Sequence, residues 1–424
     1  MKSFGQNKKT LFSWTLYDFA NSAFSTTVLS VVFSAYFVKS IVPQEGIKWR
    51  DLEIPGESVW SYLISGIMIL AIFVSPLLGI KADQNNSRAK PLFFWTLLGS
   101  FSTMALFFAH PGDLIWACAW SFLAVFSFEM SQVFYNSFLQ VVINKENTGS
   151  VSGRGFAWGY LGGGLCLALN LWMMNQPQTF GLLDLDNTLP VRASVLVAGI
   201  WWLLFSIPAF CFLRDNPQRE VPLENTSPPL WEAFAYLKRM LVSLKKSPEL
   251  KNFFIAYFFY NDGVQTIILM ASIFGAKILG MSSSTLVLCF LFIQAVALAG
   301  ALFMGKLTDR WGAKRVITVC IVGYLVVTFW GALMTTEIEF WFLGFCIGII
   351  MGGIQSASRA LFNSLIPVER TSEFFSLYGI VGKAASVMGP LVFGVFSQFG
   401  GVRWGVASLG IFFVVGLAYM RRVD

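Results

Sequence analysis

The sequence predicts an all-α polytopic membrane protein: twelve transmembrane helices in two pseudo-symmetric six-helix bundles, with both termini cytoplasmic. Three observations predict it. The chain of 424 residues is 56% hydrophobic and 12% charged, whereas an ordinary soluble domain carries about 25% charged residues. Twelve apolar runs are each long enough to cross a ~30 Å hydrocarbon core at ~1.5 Å per residue. The polar residues that interrupt those runs recur in the two halves of the chain at nearly one spacing.

The runs, in order, are helix 1 at 11–38, helix 2 at 59–80, helix 3 at 91–109, helix 4 at 114–142, helix 5 at 154–175 and helix 6 at 193–213. After a polar connection come helix 7 at 252–279, helix 8 at 284–303, helix 9 at 316–334, helix 10 at 338–366, helix 11 at 374–399 and helix 12 at 402–420. An even count puts both ends on one side, and Lys and Arg decide which side. With the N-terminus inside, 22 of the 30 Lys and Arg fall in inner segments. Six fall outside (Lys39, Lys48, Arg50, Arg192, Lys277 and Arg403), and Arg359 and Lys383 lie within helices. The net charge of +7 therefore belongs to inner loops facing anionic lipid rather than to a nucleic-acid surface.

The three segments expected from this are an N-terminal bundle at 1–213, a cytoplasmic linker at 214–251 and a C-terminal bundle at 252–424. In the linker, Leu230, Phe234, Leu237, Leu241 and Leu244 follow a 4-3-4-3 spacing, with Lys238, Arg239, Lys245 and Lys246 mainly off that face. Such a stretch is expected to lie as an amphipathic helix on the inner leaflet. The six cysteines all fall inside apolar runs and are expected to be small core residues. His110, the sole histidine, precedes Pro-Gly-Asp at a helix end and reads as a turn residue. The run after MKSFGQNKKT has no A-x-A site, so no cleavable signal is expected. No nucleophile–base pair, phosphate loop or metal-ligand spacing appears, so neither an enzyme nor a resident cofactor is expected. A proton or another ion is the candidate coupling species.

The repeat is most visible between helices 2 and 3 and between helices 8 and 9. "GKLTDRWGAKR" at 305–315 and "GIKADQNNSRAKP" at 79–91 both place an Asp four residues after a Gly, then bases. Gly79 and Gly305 are 226 positions apart; the Asn-Ser pairs at 136–137 and 363–364 are 227 apart; Gly159 and Gly162 match Gly379 and Gly382 at 220. Three matches at nearly one offset across equivalent helices argue for two halves of one topology.

Two six-helix halves with this loop motif resemble the major facilitator superfamily. The second copy keeps Gly305, Asp309, Arg310, Gly312, Lys314 and Arg315; the first keeps Gly79, Asp83, Arg88 and Lys90 but has Gln84 where a base is expected. The stretches "WTLYDFANSAFSTTV" (14–28), "SGRGFAWGYLGGG" (152–164), "YNDGVQTI" (260–267) and "GGIQSASRALFNSLIP" (352–367) look like the fungal vacuolar amino-acid effluxers linked to autophagy and their bacterial relatives. The resemblance implies a secondary transporter working by alternating access, and more loosely an amino-acid-like small-molecule substrate. The short tails suit a bacterial member, hence a multi-pass protein of the bacterial inner membrane, touching lipid and working as a monomer.

In that superfamily helices 1, 4, 7 and 10 line the central cavity. Here they carry Tyr17, Asp18 and Asn21; Glu129, Gln132 and Asn136; Tyr260, Asn261, Asp262 and Gln265; and Gln355 with Arg359, while helix 11 adds Lys383. Ionisable groups at membrane depth usually face a cavity or a partner. A zwitterion needs one group of each sign: Lys383 or Arg359 is placed to take a carboxylate, and Asp262 or Asp18 an ammonium. Asp262, about 15 Å into the membrane by helical rise, is also the candidate proton carrier. Lys383 is expected to pair with Glu129 or Asp262. The loop motifs are expected to form a cytoplasmic gate, with Asp309 on the start of helix 5, including Arg154, and Asp83 on the start of helix 11. Two other functions fit the same chain: a lysolipid or amphiphile flippase of this fold, and a membrane sensor without transport.

Overall fold

The computed structural model describes residues 8–43, 45–49, 52–54, 56–143, 147–182, 188–215, 247–281, 283–386 and 388–423. Among them are twelve helical spans long and apolar enough to cross a membrane: α1 (Lys8–Ile41), α2 (Ser58–Gln84), α3 (Ala89–Phe108), α4 (Leu114–Val142), α5 (Thr148–Asn175), α6 (Leu189–Phe212), α7 (Pro248–Ala271), α8 (Thr285–Trp311), α9 (Ala313–Leu333), α10 (Glu337–Leu365), α11 (Val368–Ser397) and α12 (Val402–Met420). The proposed linker helix at 230–246 lies outside the described residues. One element was not foreseen: a short antiparallel hairpin between α1 and α2, with β1 (Ile47–Trp49) paired to β2 (Leu52–Ile54).

Local chemistry sets the ends. Thr336 begins α10 with a capping box: its hydroxyl accepts from the Glu339 amide at 3.3 Å, and the Glu339 carboxylate accepts from the Thr336 amide at 2.9 Å, which satisfies two otherwise orphaned donors. Gly312, at φ +86°, takes the left-handed conformation that stops α8 and lets α9 start at Ala313. Large apolar side chains such as Ile115, Leu333, Ile338 and Phe399 are 76–86% exposed. In a soluble protein that would be a liability; here it is the surface lipid covers.

The chain forms two compact units. One comprises Met1–Val141 and Trp158–Leu230; the other comprises Val142–Ala157 and Trp231–Asp424. The division thus falls in the central connection and also within α5. In the first unit a core of Phe24, Phe33, Phe37, Ala124, Met130 and Trp202 gathers α1, α4 and α6. In the second, Phe274, Cys289, Val327, Leu343 and Ile347 form one cluster and Phe393, Leu409 and Phe412 another.

Equivalent helix pairs pack alike in the two units. A Cβ on Gly162 of α5 would lie 2.1 Å from the Phe19 carbonyl oxygen of α1, and one on Gly382 of α11 would lie 2.9 Å from the Tyr257 hydroxyl of α7. The two glycines are the repeat partners read from the sequence, and each permits close helix approach. Gly162→Ala meets backbone rather than a movable side chain. It is expected to destabilise the first unit by about 1–3 kcal/mol, the usual range for overpacking, read as a lowered Tm in detergent.

Candidate functional site

The polar residues singled out in the sequence fall into three groups. The first is the loop motif of the second unit. Its Asp309 is on a helix, not in a loop, because α8 continues to Trp311. α5 in turn begins at Thr148, six residues before the expected start. The Asp309 carboxylate sits on that start: Oδ1 accepts from the Gly149 amide at 2.6 Å, Oδ2 from the Ser150 amide at 2.9 Å, and the Ser150 hydroxyl also donates to it. A negative charge is thereby placed on unpaired N–H groups at the positive end of a helix.

Glycines make the approach possible. A Cβ on Gly153 would lie 2.4 Å from the Ala301 oxygen, and one on Gly305 would lie 2.8 Å from the Gly149 oxygen. Gly149, Ser150 and Gly153 were missed in the sequence reading; the signal available was the i, i+4 glycine pair in "TGSVSGRG". Arg154, expected in the contact, is exposed and makes no ion pair with Asp309. Arg310 and Arg315 are also exposed, and Lys314 donates to the Arg421 carbonyl at 3.4 Å.

Arg359 belongs to the same construction. It is 2% exposed, donates from Nη2 to the Ser152 carbonyl at 2.8 Å and from Nε to the Ser152 hydroxyl at 3.0 Å, and stacks 4.1 Å from the centre of the Phe156 ring. It therefore pins the first turns of α5 to α10, the work of a structural partner for which a rigid planar donor set is suited. Gln355, one turn earlier, is half-buried.

The second group lies on α7, opposite an interruption in α11. Helix 11 was expected to run unbroken; it consists of helices Thr371–Ala384 and Met388–Gly400. Asn261 Nδ2 donates to the Gly382 carbonyl at 3.1 Å, near the end of the first segment. Asp262, with no exposed surface, accepts from the Gly389 amide at the start of the second segment, at 2.9 Å to Oδ1 and 3.0 Å to Oδ2. Adjacent side chains on α7 thus satisfy a carbonyl from one segment and an amide from the other, groups that lipid cannot satisfy. Thr266 donates to Oδ1 at 3.5 Å. The expected Asp262–Lys383 pair is not made: the Asp262 oxygens are held by Gly389 and Thr266, and Lys383 is half-buried in the last turn of the first segment. Tyr260 is buried with its hydroxyl 2.7 Å from that of Ser358, and Gln265 is half-buried.

The third group is in the first unit. Asp18, Asn21 and Glu129 are 8%, 2% and 8% exposed, so two carboxylates and an amide are buried on α1 and α4. Asp18 faces α5: a Cβ on Gly159 would lie 3.4 Å from its carboxyl carbon. Just beyond, residues Ser25–Val31 form a π-helical stretch of α1, a distortion frequent at functional sites. Tyr17 has a packing role: its hydroxyl is 2.8 Å from that of Thr96 and its ring stacks on Tyr135 at 5.1 Å. Asn136 donates to the Gln132 carbonyl of its own helix at 2.8 Å. In the first copy of the loop motif, Asp83 pairs with Arg88 at 3.0 Å, both buried, and Gly79 is buried. Asp215, where the chain leaves α6, accepts from the Arg88 and Ala89 amides at 2.7 and 3.2 Å and so caps α3. No group of three or more His, Cys, Asp or Glu able to hold a metal exists among the described residues.

Residues 6–424 match the family model described as "Vacuole effluxer Atg22 like". The chain is 32% identical over 418 residues to the uncharacterized MFS-type transporter YxiO of Bacillus subtilis (strain 168), covering 97% of this chain and 94% of that protein. It is 23% identical to autophagy-related protein 22 of Kluyveromyces lactis, covering 91% of this chain and 83% of that one. Among solved structures, the human organic anion transporter MFSD10 superposes with a TM-score of 0.74 at 12% identity, over 97% of this chain and 99% of that one. That likeness speaks to the fold.

Proposed function

Because the chain belongs to the Atg22-like vacuole effluxer family of MFS-type transporters, we propose that it moves a small polar solute, an amino acid in the leading case, by proton-coupled alternating access. It is a multi-pass membrane transporter, not an enzyme. The observation that carries the proposed coupling is Asp262: a carboxylate with no exposed surface, in the interior of α7, holding the second segment of α11 through the Gly389 amide. A proton on that carboxylate removes the charge that binds the amide, so protonation and the position of α11 are linked. Asp18 and Glu129 supply buried negative charge on the cavity helices of the first unit, suited to an ammonium group. The excess of Lys and Arg in alternate loops supports both termini inside, and the similarity to the Bacillus subtilis relative supports a bacterial plasma membrane.

A second reading, transfer of a single-chain amphiphile, is favoured by one feature. The second unit holds a cavity of about 70 Å³ lined by apolar side chains including Phe274, Ile293, Met334, Phe340 and Leu343. Its polar wall residue, Thr328, has its hydroxyl on the Tyr324 carbonyl at 2.7 Å. Such a space accepts alkyl groups rather than water.

Thermal melting of the purified protein against amino acids, peptides, sugars and lysolipids separates the readings. A ligand at about 100 times its Kd stabilises the folded state by about 2.7 kcal/mol, which shifts Tm by several degrees. A shift with amino acids alone supports the leading reading, and a shift with lysolipids alone replaces it with the second.

A further inference from the structure

We propose that the second unit binds a short-chain monocarboxylate, its alkyl tail in the apolar cavity and its carboxylate on Arg403. The cavity wall includes Phe274, Gly331, Met334, Phe340 and Val406. Met334 directly follows α9, and Phe340 is in the first turn of α10. The cavity therefore reaches the end of the unit remote from Asp309, which sits in the last turn of α8. Arg403 is in the first turn of α12, one turn before Val406 and on the same helical face. Its Nη1 donates to the Ala332 carbonyl at 2.8 Å, beside the wall residue Gly331. Its guanidinium lies 5.7 Å from the centre of the Phe274 ring. A positive group thus stands at the edge of an apolar space.

The chemistry of that edge selects the ligand. Arg403 is half-buried. Among the described residues the Ala332 carbonyl is the one acceptor its side chain engages, and no carboxylate is paired with it. A guanidinium carries further N–H donors in a planar fork, from which a carboxylate accepts in pairs. Inside the cavity the Thr328 hydroxyl is already committed to the Tyr324 carbonyl at 2.7 Å, and the other wall side chains are apolar. The space therefore favours carbon over water. Size limits the tail. The cavity measures about 70 Å³, and an apolar cavity of about 150 Å³ takes benzene, so this one holds a few carbons rather than a fatty chain. Binding there needs no movement of the acid across the membrane, so the site requires neither transport reading.

Equilibrium dialysis of radiolabelled pentanoate against the purified full chain, with empty micelles subtracted, tests the site. Pentanoate is expected to bind about tenfold or more tightly than acetate, which lacks the tail, and than pentanol, which lacks the charge. Arg403→Gln is expected to weaken pentanoate about tenfold and to leave pentanol unchanged. Gly331→Leu fills the space: a Cβ on Gly331 meets Val406 and Leu343 at 3.7 and 3.8 Å, ordinary contact, so the longer side chain extends into the cavity. It is expected to weaken both ligands about tenfold. Pentanol binding as tightly as pentanoate overturns the proposal, as does undiminished pentanoate binding in Arg403→Gln or Gly331→Leu, or no binding by the wild type. Dodecanoate binding about tenfold more tightly than pentanoate also overturns it, because the occupant would then be a lipid chain. If Arg403→Gln fails to fold, the pentanoate–pentanol comparison and Gly331→Leu decide.

Discussion

Asp309→Asn is expected to expose the start of α5. The carboxylate binds two backbone amides and a hydroxyl there. An asparagine leaves one oxygen and no charge. Loss of an N-terminal cap destabilises by about 1 kcal/mol, and loss of the charge facing the helix dipole adds about 0.3–1 kcal/mol. Together they change the open fraction by roughly 5–30-fold. Val151, 1% exposed in the same turn, reports it: in a background without the six native cysteines, a cysteine at 151 should react with an impermeant maleimide roughly 5–30 times faster in the Asp309→Asn protein. Equal rates would show that Arg359 and the glycine contacts hold α5 without Asp309. Arg154→Gln is the control: an exposed side chain outside the contact should leave the rate unchanged.

Much of this fold was legible because lipid imposes a simple rule. A span must be apolar and about twenty residues long, and all twelve runs coincide with a described span to within a few residues at most ends. The misses that bear on the Asp309 contact were the start of α5 and the end of α8. "TGSVSGRG" reads as a turn because Gly and Ser punctuate helices in water. Beside Gly305 and Ala301 the same glycines instead permit backbone contact, and the helix continues through them. The interruption of α11 had a signal in Gly389-Pro390, since proline belongs in the first turn of a helix.

The polar residues within the helices were legible in the sequence, but their partners were not. Spacing placed Asp18 and Asn21, or Gln355 and Arg359, on one helical face. It did not say whether a cavity or another helix lies opposite. Arg359 meets Ser152 and Phe156, and Tyr17 meets Thr96 and Tyr135. Both engagements join residues more than 75 positions apart in the chain, a separation at which periodicity carries no information. Asp262 was identified for its depth and found with a different partner, a backbone amide in place of Lys383.

That partner makes Asp262 the position of largest consequence. Gly389 has no room for a side chain: a Cβ there would lie 1.9 Å from the Thr266 hydroxyl and 2.7 Å from Asp262 Oδ1. Gly389→Ala is therefore expected to disrupt the α7–α11 contact and abolish transport whether or not protons are coupled. Asp262→Asn is the informative change. It is nearly isosteric, retains an oxygen for the Gly389 amide and cannot titrate, so the weakened hydrogen bonding should cost about 1–2 kcal/mol and leave a folded protein. The measurement is transport in proteoliposomes, using a substrate found by thermal stabilisation, with an imposed pH gradient and, separately, with substrate on both sides. The account predicts that Asp262→Asn loses accumulation driven by the gradient yet retains exchange, because exchange need not release the proton. Undiminished gradient-driven accumulation in Asp262→Asn would contradict it and move the coupling to Asp18 or Glu129.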